Sequence, residues 1–136
     1  MVSTPAPLGV LGKFELLEEL GGNRVFSTYR ARKHGVQGFE KIVALKLIRP
    51  ERSEDPGFTS LLSSQAGAAA ALNHANIVQL IEVAEEDLSP VVALEYVHGM
   101  DLHTLIDTLG RTRGTMPSSL AAFLVGEVCK ALEFAH

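Results

Sequence analysis

A single cysteine, Cys129, stands among 136 residues, so neither an internal disulfide nor a cysteine-rich zinc site can form. Basic residues are scarce as well: 12 Lys and Arg face 16 Asp and Glu, for a formal net charge of -4. Gripping nucleic-acid phosphates takes a surplus of basic side chains, so a nucleic-acid partner is not expected. Long apolar runs are missing too. The Ala-rich stretch 66–72 falls far short of the roughly 20 residues of a membrane-spanning helix. The N-terminus lacks the basic head and apolar body of a signal peptide. The expectation is a soluble protein of a reducing, cytoplasmic compartment. What is present fits folded proteins, with 46% hydrophobic and 21% charged residues. A chain of this length buries roughly two-thirds of its unfolded surface, enough for one core.

Residues 1–12 carry Pro5, Pro7, Gly9 and Gly12 without periodicity and read as a flexible N-terminal arm. Phe14, Leu16 and Leu20 then suit a first strand, although Leu17 breaks the alternation. Gly21, Gly22 and Asn23 supply a tight turn into a second strand at 25–31. A nearly continuous apolar run at 42–48 holds one lysine, Lys46, and Pro50 stops it. An Ala-, Leu-, Ser- and Gln-rich helix is expected at 58–72. Strands are expected at 77–83 and 91–97, parted by a turn-forming stretch at 85–90. A short helix at 102–109 and a final helix opening at Pro117 complete the chain. The fold class is therefore α+β: a five-stranded antiparallel sheet covered by one helix, followed by two C-terminal helices.

Four segments in register carry a resemblance. Val43, Ala44, Leu45 and Lys46 match a strand motif of protein kinases. The stretch 72–78 (Leu-Asn-His-Ala-Asn-Ile-Val) is similar to the turn after the family's regulatory helix, and 94–102 to its hinge and the helix that follows. The tail 128–136 is similar to the first long helix of the large lobe. Order and spacing agree over 13–136, and the chain resembles bacterial serine/threonine protein kinases. The resemblance implies a small lobe and hinge at 13–97 and the start of a truncated large lobe at 98–136. The family's His-Arg-Asp loop, with its base and a magnesium ligand, and its Asp-Phe-Gly segment are not among these residues. No catalytic residue and no metal ligand is therefore assigned, and magnesium is expected only with a complete large lobe.

For the nucleotide, the resemblance implies that Lys46 meets the phosphates and a helix glutamate. Read alone, Lys46 is a lysine whose stem snorkels from a strand to water. The helix glutamate's position falls on Gln65, which carries no charge to hold the ammonium. In the phosphate loop, Gly21 takes the first glycine position but Asn23 and Phe26 take the others; sliding by one residue gives Gly22, Arg24 and Ser27. Neither register restores the glycine pattern, so a hairpin turn is expected in place of a close phosphate cradle. Ala44, the gatekeeper position Leu94 and the backbone of Glu95 and Val97 would frame adenine, with Asp101 against the ribose. Asp101 is equally a good helix N-cap. ATP binding is expected to be weak or lost, and phosphotransfer absent from the chain alone. The alternative is a pseudokinase-like module that docks on a partner protein or kinase.

The histidines lack the i, i+4 pairing that would put two metal ligands on one helix face, and read as structural or solvated. The final helix is apolar around most of its circumference, including Leu120, Leu124, Val128 and Leu132. Such a helix belongs inside a core, so a protein partner or self-association through it is expected.

Overall fold

A computed structural model of the chain describes residues 7–49, 51 and 55–136 in two compact units. The first unit comprises the described residues up to Ala71 together with Gln79–Tyr96; the second comprises Leu72–Val78 and Val97–His136.

In the first unit, β1 (Gly9–Leu11), β2 (Phe14–Gly22), β3 (Phe26–His34), β4 (Glu40–Ile48), β5 (Leu80–Glu86) and β6 (Ser89–Glu95) form one sheet. Its order is β1-β2-β3-β4-β6-β5, with every neighbouring pair antiparallel. The sheet has six strands where five are expected, and the addition comes from the N-terminal arm. Gly12, at φ +54°, reverses the chain so that Gly9–Leu11 pairs with Leu16 to Phe14 of β2. Leu11 packs on the core. A three-residue strand is too short to reveal itself by alternation. Residues 1–6 of the expected arm lie outside the described residues.

The broken alternation at Leu17 has a structural cause. The β2 register slips between Leu16 and Glu18, and again between Glu19 and Gly21, so Leu17 and Leu20 are the extra residues of two bulges. The hairpin of β5 and β6 lies two to three residues from its expected places. Its strands run on to a two-residue turn at Asp87 and Leu88, both at positive φ, 50° and 65°. That backbone matches the twist of paired strands, so a tight turn stands where a six-residue one is expected.

Alternation along the strands divides the sheet into two faces. Phe14, Ala31, Val43, Leu45, Val91 and Ala93 are fully buried on one face, with Leu11, Leu16, Leu47, Ile81 and Ala84 against them. The sheet curls around this core. Glu82 of β5 pairs with Lys13, in the turn after β1, and with Lys33 of β3. On β2 and β3, Glu15 sits opposite Arg32 and Glu18 opposite Arg30, with ion pairs at 2.9 and 3.1 Å. Helix α1 (Pro56–Ala70) packs against β5 and turns the half-buried Leu62, Ala66 and Ala69 inward.

The second unit contains α2 (Leu102–Arg111) and α3 (Ser118–Ala135). The Asp101 carboxylate caps α2 by accepting from the Thr104 backbone N–H at 2.7 Å. Within the segment Leu72–Val78, Asn76 donates its side-chain amide to the Glu127 carbonyl at 3.0 Å and to the Glu127 carboxylate at 2.8 Å. The His74 ring lies 5.1 Å from that of Phe134. No helix of the described residues is long and apolar enough to cross a membrane.

Candidate functional site

Lys46 lies mid-strand in β4, opposite Thr28 of β3 and Val92 of β6. Its neighbours Val43 and Leu45 point into the core, so by alternation Ala44 and Lys46 emerge on the other face. Ala44 pairs directly with Leu94, and Leu94 with Leu80. On this face, against α1, lies an open cavity of about 270 Å³, lined by Phe26, Lys46, Leu80, Val92 and Leu94 from the sheet. From α1 the lining is Leu62, Gln65, Ala66 and Ala69. The fold thus brings Lys46 and Gln65 to one cavity, with Ala44 and Leu94 on the same sheet face.

The lysine is half-buried, and its ammonium is held by an aromatic ring. Lys46 Nζ lies 5.4 Å from the centroid of the Phe26 ring, a cation–π contact. Among the described residues, no carboxylate forms an ion pair with Lys46. Gln65 of α1 is exposed and brings an uncharged amide to the rim of the same cavity.

The turn between β2 and β3 closes upon itself. The Asn23 side-chain oxygen accepts from the backbone N–H groups of Val25 and Phe26 at 2.8 and 2.9 Å. The Asn23 N–H donates to the Phe26 carbonyl at 2.8 Å. Three N–H groups of the turn are thereby engaged within it. Arg49 anchors the whole by donating from Nε to the Asn23 carbonyl at 2.7 Å. Gly21, at φ +142°, occupies backbone that side-chain-bearing residues rarely adopt. Gly22 is required for a different reason: a Cβ there would lie 2.6 Å from the Phe26 carbonyl oxygen. The sequence marks both Gly21 and Gly22 as turn residues, but the close approach that requires Gly22 leaves no mark in the order of residues.

Glu95 ends β6 and is locked to Gln79: its N–H donates to the Gln79 carbonyl and its carboxylate accepts from the Gln79 N–H, both at 2.9 Å. Val97 and Asp101 belong to the second unit, where Val97 is exposed and Asp101 is the N-cap described above. The side-chain and backbone hydrogen bonds from Thr104 hold the Asp101 carboxyl below its ordinary value. Also within this unit, Leu102 and Ile106 of α2 face Leu124, Val128 and Leu132 of α3 across an apolar groove of about 490 Å³.

Comparisons with known proteins agree with this architecture. The sequence profile of the family described as "Protein kinase domain" matches residues 14–136. A serine/threonine-protein kinase PknB from Mycobacterium leprae is 32% identical over 139 aligned residues, covering 99% of this chain and 21% of that protein. PksC, a serine/threonine-protein kinase of Streptomyces coelicolor, is 30% identical, with 92% of this chain and 23% of that protein covered. Tyrosine-protein kinase MasK of Myxococcus xanthus is 29% identical, with 92% and 19% covered. The chain therefore spans about a fifth of the length of these curated relatives. Among solved structures, the Mycobacterium tuberculosis PknI kinase domain superposes with a TM-score of 0.74 at 23% identity, covering 98% of this chain and 52% of that one. On the family match over residues 14–136, this chain belongs to the protein kinase domain family.

Proposed function

We propose that residues 13–97 form the small lobe and hinge of a serine/threonine-type kinase domain, that 98–136 begin its large lobe, and that the small lobe binds an adenine nucleoside while gripping its phosphates poorly. The observation that carries this reading is the environment of Lys46. A flat base suits the small Ala44 beside the apolar Leu94, and the strand end at Glu95 leads into the hinge backbone of Val97. The triphosphate suits the site less. The turn that would approach it has its N–H groups engaged by Asn23 and Phe26, and Gln65 stands where a carboxylate would orient the lysine. Phosphoryl transfer depends on positioning and on charge stabilisation by metal ions. The His-Arg-Asp and Asp-Phe-Gly segments that supply them in the family are not among these 136 residues. The chain by itself accordingly does not transfer phosphate. The reducing environment that suits its one free thiol, Cys129, is that of the cytoplasm.

Calorimetry on the 136-residue chain tests the reading directly. Adenosine and Mg-ATP are expected to bind within about tenfold of each other, and a Mg-ATP preference near a hundredfold, about 2.7 kcal/mol, overturns it. A radiolabelled-ATP assay should show no turnover. Turnover abolished by Lys46→Met would defeat the second half of the proposal.

The exposed apolar side chains of α2 and α3 favour a second reading, a kinase-like module that docks through them. Ile106, Val125, Val128 and Leu132 are each more than half exposed.

A further inference from the structure

We infer that Phe26 sets the ligand preference of the Lys46 cavity: its ring occupies the ammonium that a phosphate would otherwise take, so the face discriminates against the charged end of a nucleotide. This deepens the nucleoside-binding reading above and rests on it.

Phe26 opens β3 opposite Ile48, which places it diagonally across from Lys46 on the same sheet face. Diagonal neighbours on adjacent strands are within reach of an aromatic side chain. The ring centroid is 5.4 Å from the Lys46 nitrogen, and both residues line the cavity with the apolar Val92 and Leu94. Apolar walls strengthen a cation–π contact, because less water competes for the cation. The ring is also held in place from behind. The Phe26 N–H donates to the Asn23 side chain and the Phe26 carbonyl accepts from the Asn23 N–H. The Arg49 guanidinium fixes the Asn23 carbonyl in turn. The backbone of Phe26 is thereby tied at both of its polar groups, so the ring leaves the lysine only by a change of its own rotamer. A phosphate approaching Lys46 competes with the ring for the ammonium, whereas an uncharged nucleoside does not. Phe26 thus acts on the phosphates through Lys46.

The test is a set of calorimetric titrations of the 136-residue chain with adenosine and with Mg-ATP. The variants are wild type, Phe26→Leu, Phe26→Tyr and Lys46→Met, with Phe26→Leu also placed in the Lys46→Met background. Phe26→Leu keeps apolar bulk but has no π face, and should raise Mg-ATP affinity about tenfold while adenosine changes less than about twofold. Phe26→Tyr retains the ring and should match wild type. In the Lys46→Met background, Phe26→Leu should leave Mg-ATP affinity unchanged. If the Leu variant melts early by circular dichroism, Phe26→Met serves in its place with the same expectation. Adenosine binding with an unaltered Mg-ATP to adenosine ratio in the ring-less variants overturns this inference alone. Failure of both ligands to bind every variant overturns the nucleoside reading and this inference with it.

Discussion

Lys13 and Glu82 form an ion pair although the strands that flank them, β2 and β5, are separated in the sheet by β3, β4 and β6. The pair joins the two sides of the curled sheet over the core that includes Phe14 and Val91. Lys33 approaches the same carboxylate from β3, and Glu86 lies 3.9 Å from Lys13.

This cluster makes the first unit sensitive to acid. Burial works to raise the Glu82 carboxyl, but hydrogen bonds from Lys13 and Lys33 prevail and hold it below the ordinary value of 4.5. A carboxyl depressed in the folded state contributes stability that is fully present above its unfolded pKa and is lost as pH falls through the folded one. The loss therefore begins near pH 4.5 and continues below it. Glu82→Gln should lower stability at pH 7 by about 1 kcal/mol, a value already reduced for the solvent that screens the pair. Urea denaturation at pH 7 and at low pH checks this: the gap between variant and wild type should close in acid. A gap of the same size at both would assign the effect to packing.

Gly22→Ala should weaken the β2–β3 hairpin. The new Cβ would lie 2.6 Å from the Phe26 carbonyl oxygen, a backbone atom that cannot move without disturbing the Asn23 turn. A loss of about 1–2 kcal/mol is expected, in the ordinary range for a forced close contact. Gly9→Ala is the control, since open space surrounds its Cβ position and a change within about 0.5 kcal/mol is expected there. Equal melting temperatures for the two variants would contradict the close approach.

The apolar groove between α2 and α3 should bring two copies of the chain together at high concentration. Val128 and Leu132 line it and are each more than half exposed, at 56% and 53%. Contiguous apolar surface of this kind favours association. Sedimentation velocity over a concentration series should show growth in mass, and Val128→Glu with Leu132→Glu should shift the chain toward monomer with unchanged circular dichroism. A wild-type chain that stays monomeric throughout would refute this.

Much of the first unit is legible in the order of residues, because burial leaves a periodic trace. Val43 and Leu45 alternate with Ala44 and Lys46, and a lysine inside so apolar a run stands out before any contact is seen. The Ala-rich helix and the N-cap at Asp101 are readable in the same way, since propensity and capping act over a few neighbouring residues. That position 65 is an uncharged Gln and that Asn23 and Phe26 are not glycines are matters of composition, and they too need no coordinates.

Only the tertiary structure decides what those residues meet. Strand β1 exists because Gly12 turns Leu11 back onto a core assembled from five other strands, and three residues carry no period of their own. Leu17 looks like a fault in a strand until the register with β3 makes it a bulge. Glu82 could pair with any nearby cation; the curl of the sheet chooses Lys13 and Lys33, 69 and 49 positions away along the chain. In the sequence Phe26 only stands where a phosphate loop would have a glycine; its place over Lys46 follows from the diagonal of a β3–β4 register that local sequence does not encode. Periodicity and propensity act between neighbours in the chain, whereas pairing register and sheet curvature come from long-range packing, and it is packing that places a ring over the one lysine of the apolar run.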